Sequence, residues 1–230
     1  MKSLSQKISE FNQGLELKVR LPQGFDVMNP FQGSNAEQIK SITESFYAKF
    51  YNDSGSRNLI LGINPGRLGA GATGLPFTDT KRLNSDCGIE FSDFELHEPS
   101  SVFVYEVIRA FGGVQKFYSE FYINSVCPLG FLRLNEKANW VNANYYDDKN
   151  LFKAVRPFII ESLKAQIDWG IRTDKIWCMG SGLNFKFLTE LNKTEKLFGE
   201  IVKLDHPRYV VQYKSKEMDA YVGKYLDLLS

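Results

Sequence analysis

Three short stretches of the chain carry residue types able to hold a small planar ligand and to support a hydrolytic step. The first, Leu59 to Phe77, reads LILGINPGRLGAGATGLPF and joins an apolar run to a glycine-rich loop. Within and beside it Asn64 supplies an amide, Phe77 an aromatic face and Thr78 a hydroxyl, while Gly66, Gly69, Gly71 and Gly74 let backbone bend and approach a ligand closely. The second stretch, INSVCPLG, places Asn124 at the end of another apolar run. The third, LDHPR, offers Asp205, His206 and Arg208. An asparagine amide presents a donor and an acceptor together, so it can read a polar edge or orient a water, but it has little power to take a proton. A neutral histidine can donate to a carbonyl on which negative charge builds. Asp79 and Asp205 are carboxylates that could assist.

The glycine loop admits other readings. Gly69, Gly71 and Gly74 spell GxGxxG after a strand-like run, the pattern of a dinucleotide oxidoreductase. That site needs a helix starting at the loop, whereas Leu75-Pro76 and the polar, aperiodic TDTKRLNSDCG follow. A phosphate loop of the ATPase kind needs a lysine where Ala72 stands. Asn-Pro-Gly is also ordinary turn chemistry.

The elements that must position these residues alternate. Ala36 to Phe50 has helical spacing of Ile39, Ile42, Phe46 and Phe50 behind a capping Asn35. Asn58–Ile63, Phe121–Val126, Lys175–Met179 and Ile201–Leu204 read as buried strands, with helices expected at Val102–Phe111, Leu151–Trp169 and Asn184–Leu191. The expectation is an α/β fold, a three-layer α/β/α sandwich around a central, mainly parallel four-stranded sheet. The ligand crevice of such a sheet lies beyond the carboxyl ends of its strands, where GINPG, INSVCPLG, GSGLN and LDHPR all fall.

Composition bounds the function more loosely. The chain has 230 residues, 43% of them hydrophobic, enough for one sizeable core. Its 28 basic and 27 acidic residues announce no nucleic-acid partner through net charge, though a local basic rim remains open. Cys87, Cys127 and Cys178 form no CxxC pair, which removes the usual zinc and iron-sulfur ligand sets and fits a reducing, cytoplasmic setting. No apolar run is long enough to span a membrane. His97, between Glu95 and Glu98, reads as solvated surface, and Trp140, Tyr145 and Tyr146 as an aromatic patch that packs or stacks on a ligand.

Taken together, GINPG, TGLPF, Asn124 before Cys127-Pro128-Leu129, and the late His206-Pro207-Arg208 resemble the uracil-DNA glycosylase superfamily in order and spacing. Within it the chain resembles the single-strand-selective monofunctional uracil-DNA glycosylases, specifically their bacterial type 2 branch. The resemblance covers residues 58–210; residues 1–57 are expected to form a helical extension packed on a single domain. It implies a monomeric, cofactor-independent, monofunctional enzyme that flips uracil or a related deaminated base out of DNA and hydrolyses its glycosidic bond. Asn64 would then place the attacking water and His206 would meet charge on the departing base. Phe77 would stack on that base and Asn124 read its edge, with the backbone of Gly62, Ile63 and Gly66 alongside. Arg67, Lys81, Arg82, Ser181 and Arg208 would contact the DNA. The usual closing motif HPSPR is here the shorter HPRY, which changes the register of Arg208. A non-catalytic nucleotide or modified-base binding module is the rival reading.

Overall fold

The computed structural model describes residues 2–91 and 93–230. In chain order its elements are α1 (Leu4–Gln13), β1 (Phe25–Met28), α2 (Ala36–Phe50), β2 (Asn58–Gly62), α3 (Ala70–Thr73), α4 (Thr80–Ser85), α5 (Pro99–Phe111) and α6 (Val114–Glu120). There follow β3 (Phe121–Ser125), β4 (Gly130–Leu134), β5 (Trp140–Ala143), α7 (Lys149–Ile167), β6 (Lys175–Met179), α8 (Leu183–Glu195), β7 (Glu200–Leu204), α9 (Pro207–Tyr213) and α10 (Met218–Leu229).

The central sheet has four parallel strands in the order β3-β2-β6-β7. Its registers pair Gly62 with Ser125 and Met179 with Leu204, so all four strands end along one edge and every connecting loop there opens to the same side. β2, β3 and β6 are buried on both faces, and their continuous apolar runs follow from that, while β7 at the sheet edge is only partly buried. On one face Phe121 stacks on Phe117 of α6, and the Trp177 indole donates to the Leu228 carbonyl of α10. On the other face Tyr122 packs edge-on against Trp169, just beyond α7. Helices on both sides of a parallel sheet make the expected three-layer sandwich.

Three expectations need correction. Residues 1–57 are not a purely helical extension, because β1 pairs antiparallel with β4, and β4 with β5, in a second, three-stranded sheet. Asn35 precedes α2 but makes no side-chain capping bond. The polar stretch after the glycine loop does form a helix, α4, because the Asp79 side chain accepts from the Arg82 N–H and caps it.

Candidate active site

A cavity of about 300 Å³ lies at the strand-end edge, at the small end of the range for ligand pockets. Ile63, Asn64 and Gly66 after β2, Phe77, Ser125 at the end of β3, and His206 and Arg208 after β7 contribute to its wall. It is contiguous with a wider groove through Ile63, Asn144 and His206, and that groove runs past Ser181, Asp205 and Tyr209.

Gly62 forms the floor beneath Phe77: a Cβ there would stand 3.1 Å from the ring tip. Phe77 itself has φ of +55°, a left-handed conformation costly for an aromatic residue, held because its ring is almost fully buried. Its edge faces the His206 imidazole at 6.0 Å between centroids. His206 precedes α9, and its Nδ1 accepts the Arg208 N–H at 3.2 Å. With Nδ1 used as an acceptor, the remaining proton of the neutral ring sits on Nε2. Burial, reinforced by the Arg208 charge, lowers the His206 pKa to about 4, so at neutral pH the ring is an uncharged donor.

The Asn64 amide ties two loops together. Its Nδ2 donates to the carbonyls of Pro65 and Ala143, each at 3.2 Å, and its Oδ1 accepts the Tyr145 N–H at 3.0 Å. Both amide protons are engaged; one acceptor site on Oδ1 is left for a water. Tyr145 is buried, its hydroxyl donating to Asn184 Oδ1, and Tyr146 stacks on Phe187, so these two aromatics pack; Trp140 is exposed.

Several expected site residues are placed elsewhere. Asn124 faces away from the cavity: its Nδ2 donates to Tyr122 Oη and Gln166 Oε1, and its Oδ1 accepts the Ser125 N–H. Successive strand side chains alternate in direction, so the neighbouring Ser125 is the one turned into the cavity. Arg82 is not a surface cation, because its buried guanidinium lies 3.3 Å from the fully buried Asp79 carboxylate. Asp79 is structural rather than a spare base: it also accepts from Ser101 Oγ and the Glu98 N–H. His97 is largely exposed, with Nδ1 3.3 Å from Asp79. Thr78 is buried and bonds to the Tyr105 hydroxyl. Asp205 is clamped by Lys224 at 2.7 Å and Ser181 Oγ at 3.2 Å, and its carbonyl accepts from the Tyr225 hydroxyl, which fixes the loop ahead of His206. Lys81 is exposed beside a different cavity, lined with it by Asn84, Phe91 and His97. Arg67 and Arg208 are exposed, Arg208 on the rim of the cavity.

Four further polar lining residues carry no sequence motif: Glu98 and Ser100 at the start of α5, Asn142 of β5, and Asn144 just after it. Pro99 in the first turn of α5 was the available signal for a helix beginning there. Among the described residues no group of three or more His, Cys, Asp or Glu side chains could hold a metal ion, and no helix is long and apolar enough to cross a membrane.

A parallel-sheet sandwich whose strand-end loops bring an aromatic ring, a neutral histidine donor and a pinned asparagine to one cavity has the fold of the uracil-DNA glycosylases. The comparisons with known proteins identify the family. Residues 48–230 match the family model described as the Uracil DNA glycosylase superfamily. Among solved structures, the crystal structure of wild-type Pedobacter heparinus SMUG2 is similar over 99% of this chain and 97% of that one, with 49% sequence identity and a TM-score of 0.94. No curated protein sequence matches the chain. The chain belongs to the uracil DNA glycosylase superfamily, in its SMUG2-type branch, and is a DNA glycosylase.

Proposed function

We propose that this protein removes uracil from DNA by hydrolysis, acting as a monomer without a cofactor and leaving an abasic site. The observation that carries this reading is the edge-on pairing of Phe77 and His206 in the wall of a cavity of about 300 Å³. An enzyme acting on a base within DNA must extrude it and hold it by stacking and by its polar edge. Phe77 offers the stacking face. Ser125 is positioned to hydrogen-bond the edge in the role the family resemblance implies for Asn124. Cleavage passes through a sugar with oxocarbenium character while negative charge grows on the departing pyrimidine. The Nε2–H of neutral His206 is the donor for that charge, and it needs no proton of its own to lose. The free acceptor site of Asn64 holds the water. Arg208 and Arg67 are the cations for flanking phosphates, and the start of α8 next to Ser181, whose N-cap residue Gly182 offers no side-chain cap, leaves backbone N–H groups for another.

No lysine stands among the described residues lining the cavity, which supports hydrolysis without a Schiff-base step. Three buried, unbridged cysteines favour a reducing cytoplasmic setting. The test is incubation with a uracil-containing oligonucleotide in EDTA, followed by alkaline scission and assay of free base. Free uracil and an alkali-labile site in equal amounts are expected. Intact uracil after prolonged incubation, or a strand break without alkali, would refute the reading. Light scattering at micromolar concentration should return the mass of one chain, with and without oligonucleotide.

A further inference from the structure

One group in the cavity has no role in the mechanism above. Glu98 stands at the residue before α5 yet makes no capping bond with that helix; its side chain contributes to the cavity wall instead. Its Oε2 is buried and has no hydrogen-bond partner, one of few such side-chain atoms among the described residues. A buried polar atom left unsatisfied costs on the order of 1–3 kcal/mol, more when charged, so its retention calls for a reason.

The surroundings seat this carboxyl. Its backbone N–H is held by Asp79 at 3.2 Å, which fixes the start of α5. The glycine loop makes room for it: a Cβ at Gly69 would lie 2.6 Å from the Glu98 carboxyl carbon and 2.7 Å from each oxygen. Gly69 of GRLGAGATG thus faces the Glu98 side chain, with Asn64 at the head of the same loop. Asn64 can orient a water through its free acceptor site, but an amide is too weak a base to remove a proton from it.

We propose that Glu98 is the catalytic base of the hydrolysis, taking a proton from the water that Asn64 positions. In that step the water oxygen forms a bond to C1′ and one of its protons passes to Glu98 Oε2. The C1′–N bond breaks with its electron pair leaving on the base, where His206 Nε2–H meets the charge. The base then takes up a proton, from Glu98 or solvent, and the carboxylate is restored. The proposal rests on the hydrolytic reading above.

The electrostatics suit a base working near neutrality. Burial, then repulsion from Asp79, raises the Glu98 pKa to about 8, with Arg208 opposing the rise. The other charged or titratable groups nearby are Arg82 and His97, both paired to Asp79, and His206, which stays neutral down to about pH 4. A carboxylate raised into this range is a far stronger base than an ordinary one.

The test is single-turnover cleavage with enzyme in excess, between pH 5.5 and 9.5, on oligonucleotides carrying uracil, hypoxanthine, xanthine or hydroxymethyluracil. The wild-type rate should climb with pH and level off above about pH 8. Glu98→Gln should lose at least 100-fold of the plateau rate and its pH dependence, while still binding an oligonucleotide with non-cleavable 2′-fluoro-deoxyuridine. Glu98→Ala should regain rate with added formate. A wild-type rate that is flat over this range would overturn the base role, whether or not the variants fold. So would one that falls through pH 8, as a protonated Glu98 acting as donor would give. Failure to cleave any base in the panel would instead remove the hydrolytic reading, and the base role with it.

Discussion

The two perturbed groups of the cavity make opposite demands on stability, and replacing Glu98 separates them. In the unfolded chain Glu98 titrates near its ordinary value of 4.5, whereas in the fold it holds its proton to about 8. The folded state therefore binds the proton more tightly, so the associated stability is fully present below pH 4.5 and is lost as pH rises towards 8. His206 behaves the other way. Its pKa falls from 6.5 to about 4 on folding, so its contribution is present above pH 6.5 and is lost as pH falls towards 4. Between pH 4.5 and 6.5 the two slopes offset one another. Between pH 6.5 and 8 only Glu98 changes its ionisation, and the loss over that interval is about 2 kcal/mol at 1.36 kcal/mol per pKa unit. Glu98→Gln keeps the shape and removes the titration. Urea unfolding at pH 6.5, 7.5 and 8.5 should show wild-type stability dropping by about 2 kcal/mol and the variant staying level, becoming the more stable protein at pH 8.5. Parallel curves for the two proteins would refute the burial of an ionisable carboxyl at this position.

Other perturbations discriminate the placements of the site residues. Asn124→Ala removes the partner of Gln166, Tyr122 and the Ser125 N–H, and should cost about 1–3 kcal/mol of stability in denaturant melts. Ser125→Ala should leave the melt nearly unchanged and raise KM for uracil oligonucleotide or blunt discrimination against cytosine. The reverse pattern would return the edge-reading role to Asn124. Arg82→Ala leaves Asp79 buried without its cation and should destabilise by several kcal/mol with no change in the salt dependence of DNA binding. Arg208→Ala should fold normally and reduce the slope of log affinity against log salt by about 1.

The fold was legible where the sequence pattern is local. The expected α2 matches its observed bounds, and the four buried strands match theirs to within a residue, because continuous apolar runs are what a two-sided parallel sheet requires. The second sheet escaped notice because its strands are short and β1 pairs with a segment roughly a hundred residues later. Asn64, Phe77 and His206 line the cavity as expected, because each sits in a motif tied to a strand end. Asn124 points away from the cavity by a single step of strand alternation, which moves a side chain from one face of the sheet to the other. Arg82 was misread because a polar helical turn looks like a loop until its cap, Asp79, is seen to be buried. Glu98 and Asn142 reach the cavity from elements with no recognisable spacing to it, so only the tertiary structure brings them in.

The most direct test of the site is a crystal structure with a single-stranded oligonucleotide carrying 2′-fluoro-deoxyuridine, whose glycosidic bond resists cleavage. The uracil ring should lie against Phe77 in the cavity, with a carbonyl oxygen within hydrogen-bond distance of His206 Nε2 and its edge facing Ser125. A uracil held elsewhere, or one contacted by a rotated Asn124 with His206 turned away, would contradict the account.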